Sequence, residues 1–154
     1  MATIAELKQE EARKLLRLFL NDTPELNRLI RRQESTAEKL DLAILLAIDD
    51  YNITMPPLGN SNIGTFPSIW LLIYGATIQV LRSAGLLQSR NDLAYSSGGV
   101  SVRLWDKTQN YQSWIMQFVQ EYENKKKNFK ISLNVNGALA AGVVSEYWTI
   151  SRYW

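Results

Sequence analysis

The sequence predicts a mainly α-helical fold: a single helical bundle of about five helices with long loops, and a short β element or extended arm at the C-terminus. Apolar residues recur at helical spacing through most of the chain, and capping residues precede several of these stretches. With 154 residues, 46% of them hydrophobic, the chain has the composition of one domain with a buried core. We expect residues 1–154 to form a single domain, with a helical body at about 3–127 and an aromatic, β-prone arm at about 129–154.

The N-terminal third predicts two helices. Thr3 and Glu6 have capping-box spacing, and the apolar stripe that follows them ends near Leu20. Pro24 stands at a favoured first helical position, which predicts a short second helix over 24–33.

The third helix is predicted to be buried on most sides. Ser35 and Glu38 repeat the capping-box spacing, and the residues after them are apolar around more than one face. The helix must end before the prolines at 56 and 57, since two prolines in series cannot continue it. Residues 53–66 are therefore expected to form a long loop, the kind of segment that often contacts a partner.

A fourth helix is predicted to begin at Pro67 and to lie at the centre of the bundle. Gly75, near its middle, would let another backbone come close. The apolar stretch 69–87 is interrupted by Gln79 and Arg82, which argues against a membrane span and favours a buried core helix.

Residues 88–102 lack helical periodicity and are rich in turn formers, which predicts a second long loop with a short strand at 100–104. Asp106 then offers a cap for a fifth helix with one apolar face. Its last turn would carry the basic run 125–127, where cations favour the helix dipole.

The C-terminal region gives competing signals. Apolar residues alternate over 129–135 as in a strand, although some of them could also extend the fifth helix; we favour a strand, followed by a tight turn at Asn136 and Gly137. Four large aromatic side chains then fall within the last eight residues: Tyr147, Trp148, Tyr153 and Trp154. They are expected to be buried either on their own core or in a neighbouring molecule, because Trp and Tyr often carry interface energy.

Composition excludes much ordinary catalysis. The chain has no cysteine and no histidine, so thiolate and imidazole chemistry are absent, and no catalytic, cofactor-binding or metal-ligating residue is predicted. Asp49 and Asp50 are adjacent, but neighbouring helical residues point about 100° apart and favour a polar helix end over a cation site. The net charge of +2 is too small to indicate a nucleic-acid footprint. We expect a protein that is not an enzyme and needs no cofactor.

One resemblance suggests a role. Residues 90–102 read RNDLAYSSGGVSV, a helix rich in Tyr and Glu follows, and residues 142–147 read GVVSEY. This pattern, over about 41–147, resembles small structural proteins of tailed bacteriophages, in particular neck or head-to-tail connector (adaptor) proteins.

The resemblance implies a virion protein, assembled in the host cytoplasm, that forms a homo-oligomeric ring between portal and tail proteins around the DNA path and has no membrane partner. The candidate interface residues are Arg90, Asn91, Asp92, Tyr95, Gly98, Gly99, Tyr147, Trp148, Tyr153 and Trp154. The candidate DNA-facing residues are Lys125, Lys126 and Lys127, although such a run more often marks a solvated helix end. The alternatives are a baseplate or tail-completion subunit and, in another class, a small helical nucleic-acid-binding or regulatory domain.

Overall fold

A computed structural model describes residues 4–27, 31–90, 94–97, 100–103 and 108–140. Within these residues the chain forms helices α1 (Ile4–Leu20), α2 (Ala37–Ile53), α3 (Ile69–Arg90) and α4 (Thr108–Ala140), with strands β1 (Ala94–Ser97) and β2 (Val100–Arg103) between α3 and α4. The mainly helical class is confirmed. The described residues contain four helices where five were predicted.

The helix α3 lies at the centre, packed against α1, α2 and α4. One buried cluster joins α1, α2 and α3, and its members are Ala12, Leu16, Leu40, Ala43, Ile44, Ala47, Leu72, Ile73 and Ala76. A second cluster joins α2, α3 and α4 through Tyr51, Leu71, Ile78 and Tyr122. The predicted central helix is therefore α3, which begins two residues after Pro67.

The apolar character of α3 follows from this position. Among the described residues it is the one helix long and apolar enough to cross a membrane, and 44% of its most apolar window is buried inside the protein. A core helix that packs on two sides has the same composition as a spanning helix, so the packing against α2 and α4 accounts for its hydropathy.

The helix α2 is the predicted third helix, and its N-cap lies one residue later than predicted. The Thr36 side chain, not that of Ser35, accepts a hydrogen bond from the backbone N–H of Lys39 at 3.3 Å.

The loop predicted at 53–66 is present between α2 and α3, and side-chain hydrogen bonds stabilise it. Asn52 exchanges two hydrogen bonds with the backbone of Ser61, and Asn62 accepts from the backbone N–H groups of Gly64 and Thr65.

The short helix predicted over 24–33 is wrong for the part of that range that the structure describes. Residues 24–26 form a turn, and Arg31 has a φ of 50°, a left-handed conformation that a helix cannot continue through. The carboxylate of Asp22 instead organises this connection. It accepts from the backbone N–H groups of Glu34 at 2.7 Å and Ser35 at 2.8 Å, and from the Asn27 side chain at 2.8 Å.

We expect Asp22→Asn to lower the free energy of unfolding by about 2 kcal/mol, because it removes a buried charged acceptor that serves two backbone donors. Burial raises the pKa of Asp22, but the hydrogen bonds from Glu34, Ser35 and Asn27 outweigh it and leave the pKa below its ordinary value. The carboxylate therefore stabilises the fold above its unfolded pKa, and the contribution disappears as the pH falls through the folded pKa.

Urea denaturation at neutral and acidic pH measures both effects. The difference between the wild type and Asp22→Asn should be full at neutral pH and should vanish in acid. Glu25→Gln, at an exposed position in the same connection, is the matched control and should change stability little. A difference that persists unchanged in acid would contradict this account of the carboxylate.

The last helix differs most from expectation. The predicted fifth helix and the predicted strand at 129–135 are one continuous helix, α4, which also runs through Asn136 and Gly137 where a tight turn was expected. The alternation was misleading because Phe129 packs on the core, while Ile131, Leu133 and Val135 are exposed and form no strand face. The helical body therefore extends to Ala140, and the rest of the predicted arm, 141–154, lies outside the described residues.

The predicted long loop 88–102 is shorter than expected. The helix α3 continues to Arg90, and β1 and β2 pair antiparallel with Tyr95 opposite Val102 and Ser97 opposite Val100. The strand β2 falls where a short strand was expected at 100–104.

Candidate interaction surface

An aromatic patch, defined here as Phe19, Trp70, Tyr74 and Phe118, spans α1, α3 and α4. Tyr74 is at its centre: its ring centroid is 4.2 Å from that of Trp70, 5.1 Å from that of Phe118 and 5.7 Å from that of Phe19. The side chains of Phe19 and Trp70 remain 44% and 37% exposed. Three helices thus bring together aromatic rings that are packed on one another and still accessible from outside.

The position of each aromatic residue along its helix explains why the four side chains meet. Trp70 and Tyr74 are four residues apart in the first two turns of α3, so they share a face. Phe19 lies in the last turn of α1, and Phe118 is on the face of α4 that also carries Tyr122. The patch is therefore built on helices, which position side chains more rigidly than loops do.

A charged pair borders the patch on α4. Lys125 donates to the Glu121 carboxylate at 2.5 Å and lies with its Nζ 4.2 Å from the centre of the Trp70 ring. The hydroxyl of Tyr74 donates to the other oxygen of Glu121 at 3.0 Å. Hydrogen bonds from Lys125 and Tyr74 hold the pKa of Glu121 below its usual value, so this carboxylate stays charged and keeps both partners oriented.

A second apolar surface lies on the outer face of α2. Leu42, Leu45 and Leu46 are 56%, 63% and 41% exposed, whereas Leu40, Ile44 and Ala47 on the other face are buried. The prediction that this helix is buried on most sides is wrong, since the described part of the chain covers one face of it. Exposed apolar groups gathered on one face are more informative than isolated ones.

The middle of α4, which borders the patch, is held in place by Lys126. Its side chain is 1% exposed, and its Nζ donates to Asp50 at 2.6 Å and to Glu123 at 2.8 Å. The Tyr122 hydroxyl also donates to Asp50, at 3.1 Å. Burial raises the pKa of Tyr122, and the Asp50 charge raises it further, so the phenol stays protonated and remains a donor.

Lys130 makes a second anchor one turn later. Its buried Nζ donates to the backbone carbonyls of Tyr51 and Thr54 at the C-terminal end of α2, where the Tyr51 carbonyl also accepts from the backbone N–H of Thr54. It also lies 4.6 Å from the centre of the Tyr51 ring. Burial lowers the pKa of Lys130, and the charge of Lys126 lowers it further. The ammonium therefore acts as a cap that α4 supplies to α2.

A small cleft lies beside this network, lined by residues of α2, α3 and α4 that include Asp50, Gly75, Arg82 and Tyr122. Its volume is about 30 Å³, enough for roughly one water molecule. Among the residues that the structure describes, no group of three or more His, Cys, Asp or Glu side chains is placed to hold a metal ion.

The structure separates the predicted DNA-facing lysines. Lys126 is buried and ion-paired, Lys125 is engaged by Glu121 and Trp70, and Lys127 is exposed on α4. The run is therefore not one basic face, because consecutive helical residues point about 100° apart.

Most of the predicted interface residues are not described. Arg90 is exposed at the end of α3, and the backbone of Tyr95 lies in β1. The others fall outside the described residues: Asn91, Asp92, Gly98, Gly99, Tyr147, Trp148, Tyr153 and Trp154.

The aromatic patch was not predicted from the sequence. Its four residues lie on the apolar stripes of three predicted helices, a position that indicates packing on the core. A usable signal was the pairing of Trp70 and Tyr74 at the start of an otherwise aliphatic helix, since large amphipathic aromatics are common where one edge stays accessible.

Comparisons of the chain with models of protein families, with curated proteins and with solved structures find no match.

Proposed function

We propose that this protein is a structural subunit of a bacteriophage particle, a head-to-tail connector of the neck that forms a ring between portal and tail. The observation that carries the proposal is the aromatic patch: Phe19, Trp70, Tyr74 and Phe118 form a preorganised, accessible cluster of the residue types that dominate protein interfaces. The leucine face of α2 adds a second apolar surface, and a ring subunit needs two different surfaces to contact two neighbours.

The architecture supports the same proposal. Connector proteins of this kind, as the sequence resemblance implies, combine a helical body with extended elements that reach neighbouring subunits. In this chain the hairpin β1–β2 follows α3, and α4 continues for ten residues past Lys130, which is buried against the body. Portal and tail proteins are the proposed partners, and the virion is the proposed location.

The alternative of a nucleic-acid-binding domain has lost its main support. It rested on the lysine run 125–127, in which the ammonium of Lys126 is buried against Asp50 and Glu123. A phosphate-binding lysine needs an accessible charge, and its neutralisation should reduce the salt dependence of DNA binding.

Negative-stain electron microscopy of the purified full chain tests the proposal. We expect class averages of a ring with a central channel wide enough for duplex DNA. A matched sample of Trp70→Ala should give few rings or none, whereas Met116→Ala should resemble the wild type. Met116 is exposed on α4, two positions before Phe118 and so about 160° away around the helix. Particles of monomer size at every concentration would contradict the proposal.

A further inference from the structure

The helix α4 projects beyond the bundle. Lys130 is buried, and all of the residues 131–138 are exposed, including Ile131, Leu133 and Val135. From Lys130 to Ala140 the helix advances about 15 Å. Ala140 therefore lies well away from the core of its own subunit, at the end of a helix with exposed apolar side chains.

We infer that residues 141–154 of one copy dock on the aromatic patch of the adjacent copy, an inference that rests on the proposed ring assembly. The patch offers Phe19 and Trp70 at its surface and holds Tyr74 and Phe118 behind them. The segment brings aromatic residues of the same kind: Tyr147, Trp148, Tyr153 and Trp154. Interface hot spots tend to pair with hot spots, and aromatic pairs contribute beyond the area they bury.

The charged residues of the segment 141–154 are complementary to those at the border of the patch. The segment contains one acidic and one basic residue, Glu146 and Arg152. The border of the patch contains one of each as well, Lys125 and Glu121, both partly exposed. Opposite charges can therefore be paired at the rim while the aromatic side chains occupy the centre, which is the usual arrangement of a specific interface.

The direction in which α4 leaves the bundle favours the adjacent copy over its own subunit. Lys125, at the border of the patch, lies about 22 Å back along α4 from Ala140. To reach it the segment would have to reverse direction. Tyr147 and Trp148 would arrive only at nearly full extension, about 3.3 Å per residue, whereas Tyr153 and Trp154 are far enough along the chain to arrive without it. Docking on a neighbour placed at the end of α4 requires no reversal.

The same arrangement covers exposed apolar side chains on the projecting turns of α4. A neighbour that receives the segment at the end of α4 also lies against the projecting turns, on the face that Ile131 and Val135 share. Because the donor segment and the acceptor patch are different surfaces, the contact is heterologous and repeats from copy to copy until a ring closes.

A complementation experiment with full-length chains tests the inference. One variant, Trp70→Ala, has a damaged patch and an intact segment; the other, Trp148→Ala with Trp154→Ala, has a damaged segment and an intact patch. Each alone should associate about 30-fold or more weakly than the wild type, as expected for loss of a hot-spot residue. An equimolar mixture should form a complex of two chains, one of each variant, detected by native mass spectrometry, and should not grow into a ring.

Two controls keep the result interpretable. Met116→Ala should assemble as the wild type does. Leu15→Glu, one turn before Phe19 on the same face of α1, places a charge beside the patch and should reproduce the effect of Trp70→Ala if that variant does not fold by circular dichroism.

The outcomes separate this inference from the proposed function. A wild type that forms rings, with segment variants that form rings equally well, would overturn the docking of residues 141–154 and leave the connector proposal intact. Ring-forming wild type with two monomeric variants that fail to complement would overturn docking between copies. A wild type that is monomeric throughout would overturn both.

Discussion

Asp50→Asn is expected to lower the free energy of unfolding by about 3 kcal/mol, because it leaves the buried ammonium of Lys126 without its main partner. The Lys126 side chain is 1% exposed, and Asp50 also accepts from the Tyr122 hydroxyl. Glu123, the remaining partner of Lys126, is itself half exposed and compensates only in part. The amide keeps the shape of the carboxylate, so the change isolates the charge.

Equilibrium urea denaturation followed by circular dichroism gives the value. Asp49→Asn is the matched control: the same substitution one position earlier, at an exposed side chain, should change stability by less than about 0.5 kcal/mol. The double variant Asp50→Asn with Lys126→Met should recover much of the loss, since replacing both partners of a buried pair is far less destabilising than removing one. Equal effects at positions 49 and 50 would contradict the network.

Gly75→Leu is expected to destabilise the fold by about 3 kcal/mol through overpacking. A Cβ atom at this position would already lie 3.0 Å from the Tyr122 hydroxyl and 3.1 Å from the Ala47 Cβ, which leaves no room for a branched side chain. The close approach of α2 and α4 to α3 depends on this glycine. The substitution should therefore loosen the packing that positions α4 as well as lower the melting temperature.

Gly85→Ala is the control on the same helix, with an effect of opposite sign. Its Cβ would lie 3.6 Å from the Tyr111 Cβ, an ordinary contact, so relief of the glycine entropy term should stabilise the protein by about 0.5 to 1 kcal/mol. Thermal unfolding of the two variants side by side measures the contrast. A tolerated leucine at position 75 would show that the three helices are not in contact there.

Periodicity predicted α1, α2, α3 and the first half of α4, because each has an apolar stripe facing one core. The helices α1, α2 and α3 fall where the spacing of leucine and isoleucine placed them, and α3 is central as its composition indicated. What periodicity could not supply is how many faces of a helix are covered. The outer leucines of α2 and the residues of the aromatic patch lie on apolar helix faces that the core covers only in part, so some of their side chains stay exposed.

The second half of α4 was mispredicted for a specific reason. Its buried stripe continues through Tyr122, Lys126 and Lys130, spaced four residues apart, and two of these are cations. If lysine is treated as a polar residue, the apolar stripe ends before Lys126 and the helix is not predicted beyond it. The long aliphatic part of a lysine side chain nevertheless packs well when its ammonium group is paired. The partners, Asp50 and the end of α2, are distant in sequence, so no local signal reveals them.

The connection between α1 and α2 shows the same limit. Thr23 and Pro24 favour a helix start. The Asp22 carboxylate, however, accepts hydrogen bonds from the backbone N–H groups of Glu34 and Ser35, and this stabilises turns in place of a helix. A local propensity worth a fraction of a kcal/mol is overridden by two charge-assisted hydrogen bonds. The competing groups lie twelve and thirteen residues away, beyond the range of any turn or capping rule.

Sedimentation velocity of the full chain over a wide range of concentrations tests the central claim most directly, namely that this protein assembles with itself through its accessible aromatic surface. The account predicts a species several times heavier than the 17.6 kDa chain, which Trp70→Ala shifts to the monomer while the fold persists. A wild type that sediments as a monomer at every concentration, or a Trp70→Ala variant that assembles as the wild type does, would contradict it.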